Sequence, residues 1–159
     1  MSNFEEYKYK SDVVAKFIVA TANERHLTIN MTKVQKLLYI AYGIYLAVRD
    51  ERLTNEHPQA WPYGPVFPTT RNRLLDVDLY GITKENEVLQ EINRDEDVNA
   101  LIGLVFNTFG DWSALKLTNW SHGDGTPWQR LVSSKDFSWG TQIPDDYIKS
   151  YFKSILRNA

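Results

Sequence analysis

The residues best equipped for chemistry lie in one stretch, Ser121-His122-Gly123-Asp124. A histidine beside a hydroxyl, with a carboxylate two residues on, holds the three group types of a nucleophilic triad. Triads are assembled in space from separate segments, however, and a histidine just after a helix more often satisfies a backbone carbonyl. Catalysis at His122, on some small molecule, is therefore the minor reading. The chain has no cysteine and no Gly-x-Ser-x-Gly elbow, which leaves no other obvious nucleophile. His26, His57 and His122 are far apart and lack His-x-x-x-His spacing. Gly123-Asp124-Gly125 lacks the repeated oxygen ligands and closing glutamate of a calcium loop. No Walker A sequence or dinucleotide-binding glycine pattern is present. No metal, no cofactor and no enzymatic activity are expected.

Recognition has a stronger candidate. Residues 60 to 68 read Ala-Trp-Pro-Tyr-Gly-Pro-Val-Phe-Pro. Each proline fixes φ and removes a backbone donor, so neither a helix nor a central strand can run through. Gly64-Pro65 marks a sharp turn, and Trp61, Tyr63 and Phe67 are too apolar to be left in water without a reason. The segment should form a rigid, packed elbow. Its aromatics either complete the core or present a preformed ridge to a partner. Arg71 and Arg73 follow the elbow, and Ser121 to Trp128 forms a second loop of similar character. Candidate partner-binding residues are Trp61, Tyr63, Phe67, Arg71, Arg73, His122, Asp124 and Trp128.

Helices must position these segments. Val13, Val14, Phe17, Ile18 and Thr21 keep helical spacing over residues 12 to 25, with Ser11 placed to cap. Thr32 to Gln35 has capping-box spacing and opens the strongest helix, apolar at Val34, Leu37, Leu38, Ala41, Ile44, Tyr45 and Val48. Ile40, Tyr42 and Leu46 add apolar surface on its other faces, as in the central helix of a bundle. A short helix is predicted from Thr69 to about Val77, with Leu74 and Leu75 inward, and residues 83 to 97 read as a polar surface connection. Val98 to Phe109 is helical, Ser113 caps the next helix, and Thr126-Pro127 opens another. A loop through Ser138-Trp139-Gly140 leads to a last helix from about Pro144, buried at Ile148, Tyr151, Phe152, Ile155 and Leu156. The expectation is a mainly α, single-domain bundle of five to seven helices over residues 11 to 159, preceded by a tail of residues 1 to 10. Gln59–Trp61 and Tyr80–Thr83 are the stretches that could pair as a small β element near the elbow.

Bulk properties fit. The chain has 159 residues, enough for one domain with a sizeable core. Its formal net charge of −2 argues against a nucleic-acid binder that relies on bulk electrostatics. Lys33, Lys36, Arg71 and Arg73 are scattered cations of the kind usually found in solvent. The absence of cysteine fits a reducing compartment. The apolar run Leu37 to Val48 is shorter than the roughly 20 residues that span a bilayer, and no secretory signal is visible in Met1 to Lys10. A cytoplasmic protein without membrane contact is expected.

The order of motifs is more specific than any single one. Lys33-Val34-Gln35-Lys36-Leu37-Leu38-Tyr39 precedes Ala41-Tyr42-Gly43, then the elbow, then Phe109-Gly110-Asp111-Trp112-Ser113-Ala114. Ser121-His122, Thr126-Pro127-Trp128 and Ile143-Pro144-Asp145-Asp146 close the series. Over residues 11 to 153 this resembles the Panacea antitoxin domain, the family of SocA-like antitoxins and phage-associated GepA-like proteins. Ser121 stands where the family commonly has threonine, and Pro62 where it often has lysine. The resemblance implies a non-enzymatic antitoxin that binds and neutralises a cognate protein toxin. SocA-like members imply an alternative, an adaptor that delivers the toxin to an ATP-dependent cytosolic protease. Either tail, Met1 to Lys10 or Arg157 to Ala159, would then be the tether.

Overall fold

The computed structural model describes residues 6–157. Among them are eight α-helices and one two-stranded sheet, so the fold is mainly α. The helices are α1 (Ser11–Glu24), α2 (Met31–Arg49), α3 (Pro68–Leu74), α4 (Gln90–Asn93), α5 (Glu96–Phe109), α6 (Ala114–Ser121), α7 (Pro127–Val132) and α8 (Asp145–Arg157). The strands are β1 (Gln59–Trp61) and β2 (Gly64–Val66).

Helix α2 is the axis of the molecule. Every residue from Lys33 to Ala47 is buried, and α1, α5, α6 and α8 pack around it. A helix apolar on most faces can only be stable when neighbours cover each of them. The closest approach is to α8, where Gly43 lies beneath Phe152. A Cβ at Gly43 would stand 2.1 Å from the Phe152 ring. Ile148 and Phe152 of α8 are fully buried, with Tyr151, Ile155 and Leu156 packed at the margin of the core. Asp145 and Asp146 lie in the first turn of α8 and Arg157 in its last, the polarity favoured by the helix dipole.

Local signals fared unevenly. Ser113 and Thr126 cap α6 and α7 as expected, accepting from the Lys116 and Gln129 amides. Helix α2 begins one residue before Thr32, and its cap is Asn30, whose side chain accepts from the Lys33 amide. Ser11 is the first residue of α1 rather than its cap. Its amide donates to Asn55 Oδ1, and its hydroxyl donates to Glu56 Oε1. Glu56 Oε2 and Oε1 also accept from the Thr69 and Thr70 amides, so this distant carboxylate caps the N-terminus of α3. Residues 83 to 97 are no mere surface connection, since α4 delivers Ile92 to the core and Leu89 is buried just before it. Leu74 points inward as predicted, but Leu75 is exposed. The N-terminal stretch is partly pinned. The Lys8 and Tyr9 amides donate to Arg52 and Leu53 carbonyls, and the Tyr9 phenol donates to Asp95.

Candidate functional site

The elbow is a β-hairpin. Strand β1 pairs with β2, Gln59 opposite Val66 and Trp61 opposite Gly64, and not with Tyr80–Thr83. The predicted pairing failed because Leu79–Gly81 is a 3₁₀ turn held by Asp78. Pro62 and Tyr63 make the hairpin turn, and Gly64 follows at φ +113°, a conformation that side chains rarely adopt. A Cβ there would also meet Ser121 Oγ at 2.7 Å.

Helix α2 completes the outer edge of β2 with side chains. Gln35 Oε1 accepts from the Phe67 amide at 2.7 Å, and Gln35 Nε2 donates to the Phe67 carbonyl at 3.3 Å. Lys36 Nζ donates to the Pro65 carbonyl at 2.9 Å. Pro65 is tolerated within the strand because its missing donor would face away from β1. Lys36 is 2% exposed, and burial lowers its ammonium pKa to about 8. Burial also lowers the pKa of Lys33, with Asp111 opposing the shift. Both lysines are thus buried, Lys36 beneath the hairpin, and they do not form a solvated basic face.

Residues 140 to 143 run along the other side of β1. The Ala60 amide donates to the Thr141 carbonyl, the Gly140 amide to the Ala60 carbonyl, and the Ile143 amide to the Pro58 carbonyl. Gly140 and Thr141 both face Ala60, a bulge with its glycine at φ +91°. This added segment, unlike β2, carries two aromatics on its approach, half-buried Phe137 and exposed Trp139. Trp128 of α7 locks the whole arrangement by donating from Nε1 to the Trp61 carbonyl at 2.7 Å.

The result is one surface of rings. The His122 ring lies 5.2 Å from Trp128, Trp128 lies 6.1 Å from Trp139, and Phe137 meets Trp139 edge-on at 5.0 Å. Trp61 is half-buried beside them, its indole N–H donating to Gln59 Oε1. Tyr63 stands at the hairpin tip, 74% exposed, and Trp139 is 54% exposed. Asp124 is exposed in the loop that joins His122 to Trp128. The structure therefore brings the elbow and the Ser121–Trp128 loop together, as parts of one surface. Phe137 and Trp139 were missed. Their signal was the Phe137-Ser138-Trp139-Gly140 sequence, where alternating aromatics precede a glycine.

Three predicted site residues lie elsewhere. Phe67 is fully buried, stacked edge-on against Tyr42 at 5.8 Å, and belongs to the core. Arg73 pairs with Asp12 of α1, and no bond or ring contact joins Arg71 or Arg73 to the rings among the described residues. Among the described residues no hydrogen bond or ion pair joins the His122 ring to a hydroxyl or a carboxylate. The His122 main-chain amide donates to Trp120, its ring packs on Trp128, and buried Ser121 donates its hydroxyl to Thr118.

Another polar cluster joins α2 to α8. The Tyr42 hydroxyl donates to Asp145 Oδ1 at 2.6 Å, and Arg52 Nε donates to Asp145 Oδ2 at 3.0 Å. His57 Nδ1 lies 3.4 Å from the Tyr42 oxygen. Burial, with the Asp145 charge, raises the Tyr42 pKa, and burial lowers that of His57. Asp145 and Arg52 also line a cavity of about 550 Å³. Within its lining Arg52 pairs with Asp145 and Lys149 with Asp50, while Glu51 and Asp146 add further acidic groups. No group of side chains suited to a metal occurs among the described residues.

The family model for the antitoxin SocA-like, Panacea domain matches residues 34–129. That span runs from the helix under the hairpin to the first turn of α7, which carries Trp128. The chain is also similar to a protein named antitoxin SocA from Caulobacter vibrioides, 29% identical over 154 residues, covering 88% of this chain and 80% of that protein. No solved structure gives a significant match. With the match covering more than half of its length, this chain belongs to the SocA-like Panacea antitoxin family.

Proposed function

We propose that this protein is an antitoxin that neutralises a protein toxin by binding it directly, with the ring surface as the contact face. Family membership supports the antitoxin role. The observation that carries the contact face is the pair of outward aromatics, Tyr63 at the tip of the braced hairpin and Trp139 on the segment that runs beside β1. Rigid aromatics lose little entropy on docking and are frequent anchors of protein interfaces. Trp128 packs on Trp139 and is bonded to the Trp61 carbonyl, His122 packs on Trp128, and Asp124 is exposed in the loop that joins His122 to Trp128. The surface contains no nucleophile, paired acid and base, or metal ligand set, so the reading is non-enzymatic. It predicts that His122→Gln still protects cells. The protein acts in this reading without a membrane, since no helix among the described residues is long and apolar enough to cross one.

The test is co-expression with the product of the adjacent open reading frame, followed by affinity capture. Restored growth together with a stable complex supports sequestration. Restored growth with loss of the toxin, only when an ATP-dependent protease is present, supports delivery instead. Of the tethers considered for delivery, Met1 to Glu5 and residues 158 and 159 lie outside the described residues, whereas Lys8 to Lys10 lead directly into the fold.

A further inference from the structure

Strand β2 and residues 140 to 143 flank β1 on opposite sides, and their outer edges differ in kind. The edge of β2 is closed, because Lys36 and Gln35 occupy the outward groups of Pro65 and Phe67. The edge formed by residues 140 to 143 is open. Gln59 and Gln142 form an antiparallel bridge flanked by the Ile143-to-Pro58 and Ala60-to-Thr141 hydrogen bonds. In such a pair the bonds to the neighbouring strand come from the flanking residues, and the central residue's own groups face away. The Gln142 amide and carbonyl therefore point outward from the sheet. Gln142 is exposed, and neither main-chain group has a partner among the described residues. This edge continues directly from half-buried Phe137 and exposed Trp139, at one end of the ring surface.

We infer that the toxin presents an extended segment that adds as a strand beside Thr141–Gln142, pairing with the Gln142 main chain while its side chains rest on Trp139 and Phe137. The inference rests on the toxin-binding reading above and specifies the chemistry of the partner: an extended peptide with apolar side chains on one face. Main-chain pairing supplies the register, and the rings supply side-chain contact, the usual division of labour in strand addition. The closed β2 edge explains why addition would occur on one side only.

The substitution Gln142→Pro removes the outward N–H without touching an internal hydrogen bond, while Gln142→Ala removes only the side chain. Both are titrated with the product of the adjacent open reading frame, alongside the unmodified protein and with thermal melts of each. Loss of about tenfold or more in affinity for Gln142→Pro, with Gln142→Ala within about twofold and both melting normally, is the expected result. A Gln142→Pro variant that binds like the unmodified protein overturns strand addition and leaves the antitoxin reading standing. Absence of any complex with the unmodified protein removes both. Residue-resolved amide exchange on the unmodified complex gives a reading independent of how the proline variant folds. The Gln142 amide should slow on adding toxin, and unchanged exchange overturns the inference. Slowing that instead grows with protein concentration in toxin-free samples, accompanied by dimers in sedimentation, assigns the edge to a second copy and also overturns it.

Discussion

At the scale of residues, Gln35 and Lys36 show how a motif can mislead when only its periodicity is visible. On a helix read alone, Lys33 and Lys36 look like a basic face. Lys36 and Gln35 are bonded to Pro65 and Phe67, about thirty residues further along the chain, and buried Lys33 feels the charge of Asp111, and none of this can be seen from helical spacing. Capping hydroxyls such as Ser113 and Thr126 were legible because cap and recipient amide sit within one turn. Gln35→Leu leaves the buried Phe67 amide without a partner, while the Phe67 carbonyl keeps its bond from the Arg71 amide, and should cost about 1–3 kcal/mol. Urea denaturation measures it, and a change below about 1 kcal/mol would show that the pairing is dispensable.

Lys36 adds a pH dependence with a definite sign. Its folded pKa of about 8 lies below the ordinary 10.5, so between those values the unfolded chain binds more protons. Stability from this group therefore rises as pH increases through that window, and below about 8 the fold carries a buried charge at a cost on the order of 3 kcal/mol. Tyr39 and Tyr42, whose pKa values are raised above 10 by burial, act oppositely once pH exceeds about 10. The difference in stability between the unmodified protein and Lys36→Met, followed from pH 7 to 10, isolates the lysine. The gap should shift toward the unmodified protein as pH passes 8, whereas a constant gap would place the ammonium in contact with water.

At the scale of elements, the helices were readable and the hairpin was only half so. Helix α2 announced itself by apolar residues on most faces, and α8 by a single stripe. The prolines of the elbow correctly excluded a helix. They did not reveal a strand pair, because the tolerance for Pro65 depends on which way its missing donor faces. The short elements around residues 83 to 97 were obscured by their charge, although Leu89 and Ile92 reach the core. The α2–α8 contact makes a clean test. Gly43→Ala improves helix propensity by about 1 kcal/mol, but the new methyl would collide with Phe152. Overpacking of this kind costs about 1–3 kcal/mol or more, so the variant should melt lower, by several degrees for a domain of this size. A higher melting temperature would mean that α8 moves away at little cost. Gly64→Ala combines positive φ with contact against Ser121 and should also destabilise, loosening the hairpin on which Tyr63 stands.

At the scale of the whole molecule, the fold is a scaffold that carries one rigid aromatic face. The sequence indicated two of its contributors, the elbow and the loop before Trp128, because both are rich in aromatics and turn residues. Their union with Phe137 and Trp139 depends on the strand at 140 to 143 crossing beside β1, a long-range event with only the glycine bulge as a local trace. Phe67 and Trp128 illustrate the other difficulty. Composition cannot distinguish an aromatic that builds the face from one that forms it, and Phe67 went to the core.

The most direct test of the ring surface is the affinity of the double variant Tyr63→Ala, Trp139→Ala for the toxin, measured beside its thermal melt. Both side chains are largely exposed, so the melting temperature should stay within about 2 °C of the unmodified protein. Binding should fall by about a hundredfold or more, the loss of two anchors worth roughly 1.4 kcal/mol or more each. Unchanged affinity with an unchanged melt would contradict the account and place the toxin on another face.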